Sequence, residues 1–348
     1  MKITRIFFLM VLTTAIISCN TKHNKEDANI REDTNLSEES QMLYPSDVIS
    51  FFNHWNLILG DGANVGQAVD FEHKQFFYTI NEGDQNWVVY KAPNAGGTHG
   101  TSHNTRTELA QLKKWSPMTE AKLSATLKVM NVSVSGDDSK KSAHSVVVGQ
   151  IHSADGHENE PLKIFYKKYS DHTKGSVFWN YEINTAGDDN SGRWDFSTIV
   201  WGDIEVADPE SNYFPEEPEN GIELGEEFSY EVEVKDGIMH LTFTSKGHET
   251  KKFTKNLITS EYTNADDIPD GEKGVERENA YADEGLFFKQ GSYNQTNEKA
   301  NGAETFGGDI QKQYETGNYT EVRFKEASIY VSEDAVSNEG YFIKNDDL

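Results

Sequence analysis

Arg106-Thr107-Glu108-Leu109, Gln150-Ile151-His152 and Phe287-Phe288-Lys289-Gln290-Gly291-Ser292-Tyr293-Asn294-Gln295 each set unlike polar groups two residues apart. In a β-strand, residues i, i+2 and i+4 lie on one face. As strands, these segments place Arg106 with Glu108, Gln150 with His152, and Lys289 with Tyr293 and Gln295, with Gly291 between. A face carrying Arg, Gln, His, Lys and Tyr is poor core material. It suits an anionic substrate that must be gripped and then deprotonated. Antiparallel sheets commonly solvate one face, so any one of these segments alone carries little weight. The third carries more, because a glycine in mid-strand weakens the strand unless something approaches its backbone closely.

Strand signals dominate the chain around these segments. Lys122 to Met130 alternates polar and apolar, Ser145 to His152 is β-branched, and Leu162 to Tyr169 mixes apolar with basic. Ser176 to Ile183 is aromatic, and Phe228 to Lys235 and Ile238 to Ser245 flank Asp236-Gly237, a strong hairpin signal. Tyr319 to Val331 is a last alternating strand. No segment shows a long amphipathic helix. Many short strands joined by long polar loops predict an all-β fold, an antiparallel sandwich or jelly roll. Asp203 to Glu227 holds ten Asp or Glu and no Lys or Arg, which reads as a solvated excursion. Thr263 to Glu284 is similarly polar. Neither has the alternating oxygen spacing of a calcium loop.

With 348 residues, including 19 Phe, 15 Tyr and 6 Trp, the chain can bury a sizeable core. Its net charge of −26 argues against nucleic acid, whose binding rests on Lys and Arg at phosphates, and against an anionic membrane surface. A polyanionic substrate stays open, because recognition depends on charge in the cleft rather than on the total. Lys2 and Arg5 precede an apolar run from Ile6 to Ile17, too short to span a bilayer but right for a secretory signal. Ile16-Ile17-Ser18-Cys19 resembles a bacterial lipobox, cut before Cys19 with the thiol then lipidated; the alternative is an ordinary signal peptide with an incidental cysteine. The expected organisation is a signal peptide over 1–18, a disordered polar tether over 19–42 and a catalytic domain over 43–348. Loss of Lys2 and Arg5 takes the net charge from −26 to −28. The expected location is the bacterial cell envelope, lipid-anchored at the outer membrane or cell surface, as a monomer. Cys19 is the only cysteine, so no intrachain disulfide and no Cys-based zinc site can form.

Several familiar constellations are missing. There is no GxSxG elbow, no glycine-rich phosphate loop and no HExxH. His152 and His157 could share a metal in principle, but their surroundings read as a strand end running into a turn, and no metal or cofactor is expected. A carboxylate pair spaced Glu-x-Asp-x-x-Glu is also missing, which disfavours a two-carboxylate glycoside hydrolase.

Taken in order, Arg-Thr-Glu-Leu, Gln-Ile-His and Phe-Phe-Lys-x-Gly-x-Tyr-Asn-Gln resemble the three signature segments of the alginate lyases of polysaccharide lyase family 7. Those segments read R-[ST]-E-[LV]-R, Q-[IV]-H and Y-F-K-A-G-x-Y-x-Q. Ser176-Val-Phe-Trp-Asn-Tyr-Glu182 also has the family's look, so the resemblance runs from about Trp55 to Val331. It implies a jelly roll with a concave groove for uronate chains and a β-elimination that leaves a 4,5-unsaturated uronate. The C5 proton of a uronate is hardly acidic, because its removal puts a second negative charge beside the carboxylate, so the site must stabilise a dianion. On this resemblance Arg106 offers a bidentate fork and Gln150 an amide donor. His152 can donate or act as the base, and Tyr293 can take the proton or protonate the leaving oxygen. Glu108, Lys289 and Gln295 fall to substrate binding.

The sequence departs from the family at Ala110, where a second arginine is usual, and at Phe287 and Gln290, where Tyr and Ala are usual. Ile151 points to guluronate-containing blocks, since Gln-Ile-His tends to accompany that preference. Two alternatives stand beside an alginate lyase: a lyase for another polyuronate such as glucuronan, kept open by Ala110, and a non-catalytic glycan-binding sandwich.

Overall fold

In the computed structural model, which describes residues 43–98, 102–154, 159–185, 189–259 and 280–332, alternate residues of one strand after another turn into a common core. Sixteen strands follow one another among the described residues. They are β1 (Trp55–Ile58), β2 (Asn64–Gly66), β3 (Phe77–Glu82), β4 (Gln85–Pro93), β5 (Arg106–Gln111), β6 (Ala121–Asn131), β7 (Ser145–Ser153) and β8 (Leu162–Lys167). After them come β9 (Lys174–Thr185), β10 (Asp189–Trp201), β11 (Ile222–Glu223), β12 (Glu227–Lys235), β13 (Ile238–Ser245), β14 (Lys251–Asn256), β15 (Leu286–Asn294) and β16 (Tyr319–Val331). The longest helix among the described residues is one of six residues, Ile310–Glu315.

Two antiparallel sheets pack as a sandwich of the jelly-roll kind. One runs β10-β9-β8-β7-β15-β5-β1-β2, with β11 beside β9; the other runs β14-β13-β12-β6-β16-β4-β3. Leu109 of β5, Ile151 of β7 and Phe288 of β15 are fully buried between them. Each such side chain contributes on the order of 1.5–3 kcal/mol of hydrophobic stabilisation. Their sequence neighbours must therefore point to the outer face. Asp236 (φ 51°) and Gly237 (φ 75°) form the turn between β12 and β13, the left-handed pair that a two-residue hairpin of this type requires.

Two irregularities shape the outer face of the larger sheet. The β7–β8 register slips between Val147 and Gly149, and the β15–β7 register slips between Gln290 and Tyr293. Bulges of this kind re-aim side chains. Here Val147 faces outward with Phe165, Phe178 and Tyr293, Val148 and Gly149 both face inward across the slip, and the even-numbered Gln150 and His152 therefore come to the outer face. Gly291 has φ 152°, and a Cβ built there would lie 2.5 Å from the Thr107 carbonyl oxygen and 2.8 Å from Glu108 Cα. The close approach that its glycine signals is therefore made by the neighbouring strand β5.

The stretch from Asp203 to Glu227 is less free than its composition predicts. Eight of its ten carboxylates are exposed, but Ile204 packs on the outward cluster of Val147, Phe165, Phe178 and Tyr293. The Tyr169 hydroxyl donates to the Glu205 carbonyl at 3.1 Å, and Ile222–Glu223 forms β11 against β9. A few apolar and backbone anchors thus hold an otherwise solvated segment over one end of the outer face.

Candidate active site

β15 lies between β5 and β7, which brings the three polar segments side by side. Tyr293 pairs with Arg106 and Gly291 with Glu108; Lys289 pairs with Ala110 on one side and Gln150 on the other, and Phe287 pairs with His152. Cross-strand neighbours on one face sit within side-chain reach of each other. The outer face here is therefore continuous from Arg106 to His152.

Glu108 is the hub of this face. Its carboxylate takes Lys289 Nζ at 2.9 Å and an Arg106 guanidinium nitrogen at 3.2 Å, and accepts a hydrogen bond from Gln150 Nε2. Its side chain is only 2 % exposed. Burial pushes this carboxyl up, but Lys289 and Arg106 outweigh burial and hold it below the usual carboxylate range. Glu108 therefore braces the two cations from beneath. The Arg106 guanidinium carbon sits 3.8 Å from the centroid of the Tyr293 ring, and Lys289 Nζ lies 5.8 Å from it. The Tyr293 hydroxyl meets Ser102 Oγ at 2.9 Å.

His152 is held by different contacts. Its ring stacks on Phe287, with centroids 5.1 Å apart. Nδ1 bonds the Ser153 carbonyl, which can only accept, so Nδ1 carries the hydrogen and Nε2 keeps its lone pair. Burial, reinforced by the Lys289 cation, drives the imidazole down to about 4. His152 is thus neutral near pH 7 and able to accept a proton.

Beyond His152 the charged face continues across β8, β9 and β10. His152 Nε2 lies 3.6 Å from Glu160, which takes Lys163 at 3.0 Å; Lys163 in turn reaches Glu182 at 2.7 Å, and Arg193 stands 3.6 Å from Glu182. Burial raises the Glu182 carboxyl to about 7, with Glu160 adding to the effect and Lys163 opposing it.

The structure thus gathers Arg106, Glu108, Gln150, His152, Lys289 and Tyr293 into one cluster. Gln295 lies just past the end of β15 rather than on its outer face: its amide nitrogen donates to the Tyr293 carbonyl at 3.4 Å, which helps fix the backbone that carries the phenol. Ala110 lies directly opposite Lys289 of β15. His157 and Cys19 lie outside the described residues. Among the described residues no group of three or more His, Cys, Asp or Glu side chains could hold a metal ion.

Sequence reasoning passed over Ser102, Glu160, Lys163 and Glu182. Lys163 and Glu182 occupy outward positions of strands whose alternation was legible, and that register was the available signal. Ser102 and Glu160 sit in connections without periodicity and gave none.

A protein-family model described as Alginate lyase matches residues 49–331. The chain belongs to the alginate lyases of polysaccharide lyase family 7. An alginate lyase of Klebsiella pneumoniae is 27 % identical over 278 residues, which cover 69 % of this chain and 81 % of that one. The crystal structure of the exolytic family 7 alginate lyase AlyA5 from Zobellia galactanivorans superposes with a TM-score of 0.77 at 55 % identity, covering 82 % of this chain and 97 % of that one. The family 7 lyase A1-II′ shares the fold, with a TM-score of 0.54 at 17 % identity over 83 % of this chain and 99 % of that one. This alginate lyase is accordingly a polysaccharide lyase, and a purely glycan-binding role is set aside.

Proposed function

We propose that this alginate lyase breaks 4-O-linked uronate chains by β-elimination, leaves 4,5-unsaturated uronate ends, acts exolytically and favours guluronate-containing blocks. The observation that carries the reaction type is the stacking of Arg106 on the Tyr293 ring, beside a neutral His152 and the Gln150 amide. A uronate carboxylate bound at Arg106 and Gln150 has its charge neutralised where the second negative charge must develop. The base takes the C5 proton, the freed electron pair becomes the C4–C5 double bond, and the C4–O4 bond breaks. O4 then leaves with a proton from the Tyr293 phenol, and no water is consumed. His152 serves as base where C5–H faces it, and Tyr293 where the proton lies on the phenol's side.

Exolytic action is supported by the 55 % identity to AlyA5, described as exolytic, and by the segment around Ile204 that covers one end of the outer face. The guluronate preference rests on Ile151, which packs in the core behind Gln150 and His152 and acts through the register of those two residues. Incubation with polyguluronate, polymannuronate and glucuronan, read by ultraviolet absorbance of unsaturated uronate and by product size, tests each part. Fastest release from polyguluronate, with short products from the first minutes, is the expected outcome. Faster cleavage of polymannuronate overturns the preference, early mid-length fragments overturn exolytic action, and activity on glucuronan alone moves the substrate to another polyuronate.

We also propose that Cys19 carries the lipid that holds the enzyme at the bacterial envelope, on the strength of Ile16-Ile17-Ser18-Cys19. Cys19→Ala should leave the protein soluble or unprocessed. A variant that is still processed and still takes up a fatty-acid label as the parent does would rule the anchor out.

A further inference from the structure

Among the described residues the Tyr293 hydroxyl has one hydrogen-bond partner, Ser102 Oγ at 2.9 Å. Ser102 is itself held in place. Its oxygen accepts from the Asn104 backbone N–H at 3.1 Å and lies 3.4 Å from the Asn104 carbonyl. The Asn104 side chain is in turn bonded by Asn297, whose own carbonyl oxygen caps the Glu298–Asn301 helix. Two residues beyond Asn104 stands Arg106, so a five-residue segment supplies both the cation on the phenol's ring and the hydroxyl at its oxygen.

We propose that Ser102 is a positioning residue for the Tyr293 phenol, accepting a hydrogen bond from it when neutral and donating one to it when ionised. The proposal rests on the reading of Tyr293 as the phenol that moves the proton.

A phenol that gives and takes a proton swings its oxygen between donor and anion. A partner of fixed character favours one of those states: a carboxylate disfavours the anion, an ammonium favours it throughout. A hydroxyl carries one hydrogen and two lone pairs and can turn. While the phenol is neutral, Ser102 Oγ accepts from it and from the Asn104 N–H, with its own hydrogen directed at the Asn104 carbonyl. Once the phenol has lost its proton, that hydrogen swings to the phenolate, where a charge-assisted bond is about twice as strong as a neutral one. Ser102 exchanges no proton with the sugar, so the elimination stays balanced without it. The bland alternative is a serine that closes a local turn onto the Asn104 backbone. That alternative accounts for the Asn104 contacts and leaves the bond to Tyr293 without a role.

The test measures kcat, KM and the pH profile of Ser102→Ala and Ser102→Thr on alginate, with Tyr293→Phe alongside and folding checked by circular dichroism. Ser102→Ala should lose roughly ten- to a hundredfold in kcat with little change in KM, since it removes one donor to a developing oxyanion. The limb of the profile set by the phenol should move to higher pH, and Ser102→Thr, which keeps the hydroxyl, should restore both. Unchanged kcat in Ser102→Ala overturns the proposal. So does a loss with an unmoved pH profile, or one that threonine fails to mend, because a turn-closing serine produces those results. An inactive Tyr293→Phe beside an unaffected Ser102→Ala defeats this proposal alone, whereas an active Tyr293→Phe removes the reading beneath it.

Discussion

Tyr293→Phe should lower kcat on alginate by roughly a hundred- to ten-thousandfold, the span expected when a general acid or base is lost. The substitution deletes one oxygen. The ring keeps its place against Val147, Phe165 and Phe178, and the Arg106 guanidinium can still stack on it. Strand β15 keeps its backbone pairing to β5 and β7, so the circular dichroism spectrum and the melting temperature should match the parent's. KM should change little, because Arg106, Gln150 and Lys289 remain to hold the uronate carboxylate. A tyrosine that merely borders the outer face predicts turnover close to the parent's, and that result would sink the assignment.

Glu108→Ala should cost about 3–5 kcal/mol of stability, the usual consequence of leaving buried charges without their partner. Lys289 and Arg106 both lean on this carboxylate, and their side chains are only 8 % and 12 % exposed. Gln150 would lose the acceptor of its amide as well. The denaturant midpoint, read with unchanged slope, reports the loss. Turnover should fall with it, because the two cations would no longer be held at the phenol. If the loss is below about 1 kcal/mol, as for a solvent-exposed pair, the cations reach water unaided and Glu108 is no brace.

Alternation made much of this molecule legible. Ser145 to His152 was legible as a β-branched run and Tyr319 to Val331 as a period-two alternation, and β7 and β16 occupy nearly those bounds. Arg106, Gln150, His152, Lys289 and Tyr293 were found because chemistry-bearing residues repeated at strand spacing. β4 was not singled out: Trp87, Val88, Val89 and Tyr90 are all buried, so the segment shows no alternation to read. The role of Glu108 was hidden for a different reason. Sequence gives its face but not its depth, and only the pairing of β15 with both β5 and β7 shows that two cations and an amide close over it. The bulges at Val148 and at Gly291–Ser292 were equally silent, since a bulge shifts the register of one strand against a partner that the local sequence does not name.

The central position of β15 also fixes an order of events at the ribosome and beyond. It is the one strand joining the β5-β1-β2 half of the larger sheet to the β7-β8-β9-β10 half, yet it comes more than a hundred residues after β7 in the chain. Until it inserts, β5 and β7 present unpaired edges of the kind that recruit other strands. Closure of so distant a contact is slow. The Arg106–Tyr293 and Glu108–Lys289 pairs cannot exist before then, so a chain that has not yet inserted β15 has no lyase activity. The enzyme is switched on by completion of its own sheet, and the cell that makes it is spared a half-built catalyst.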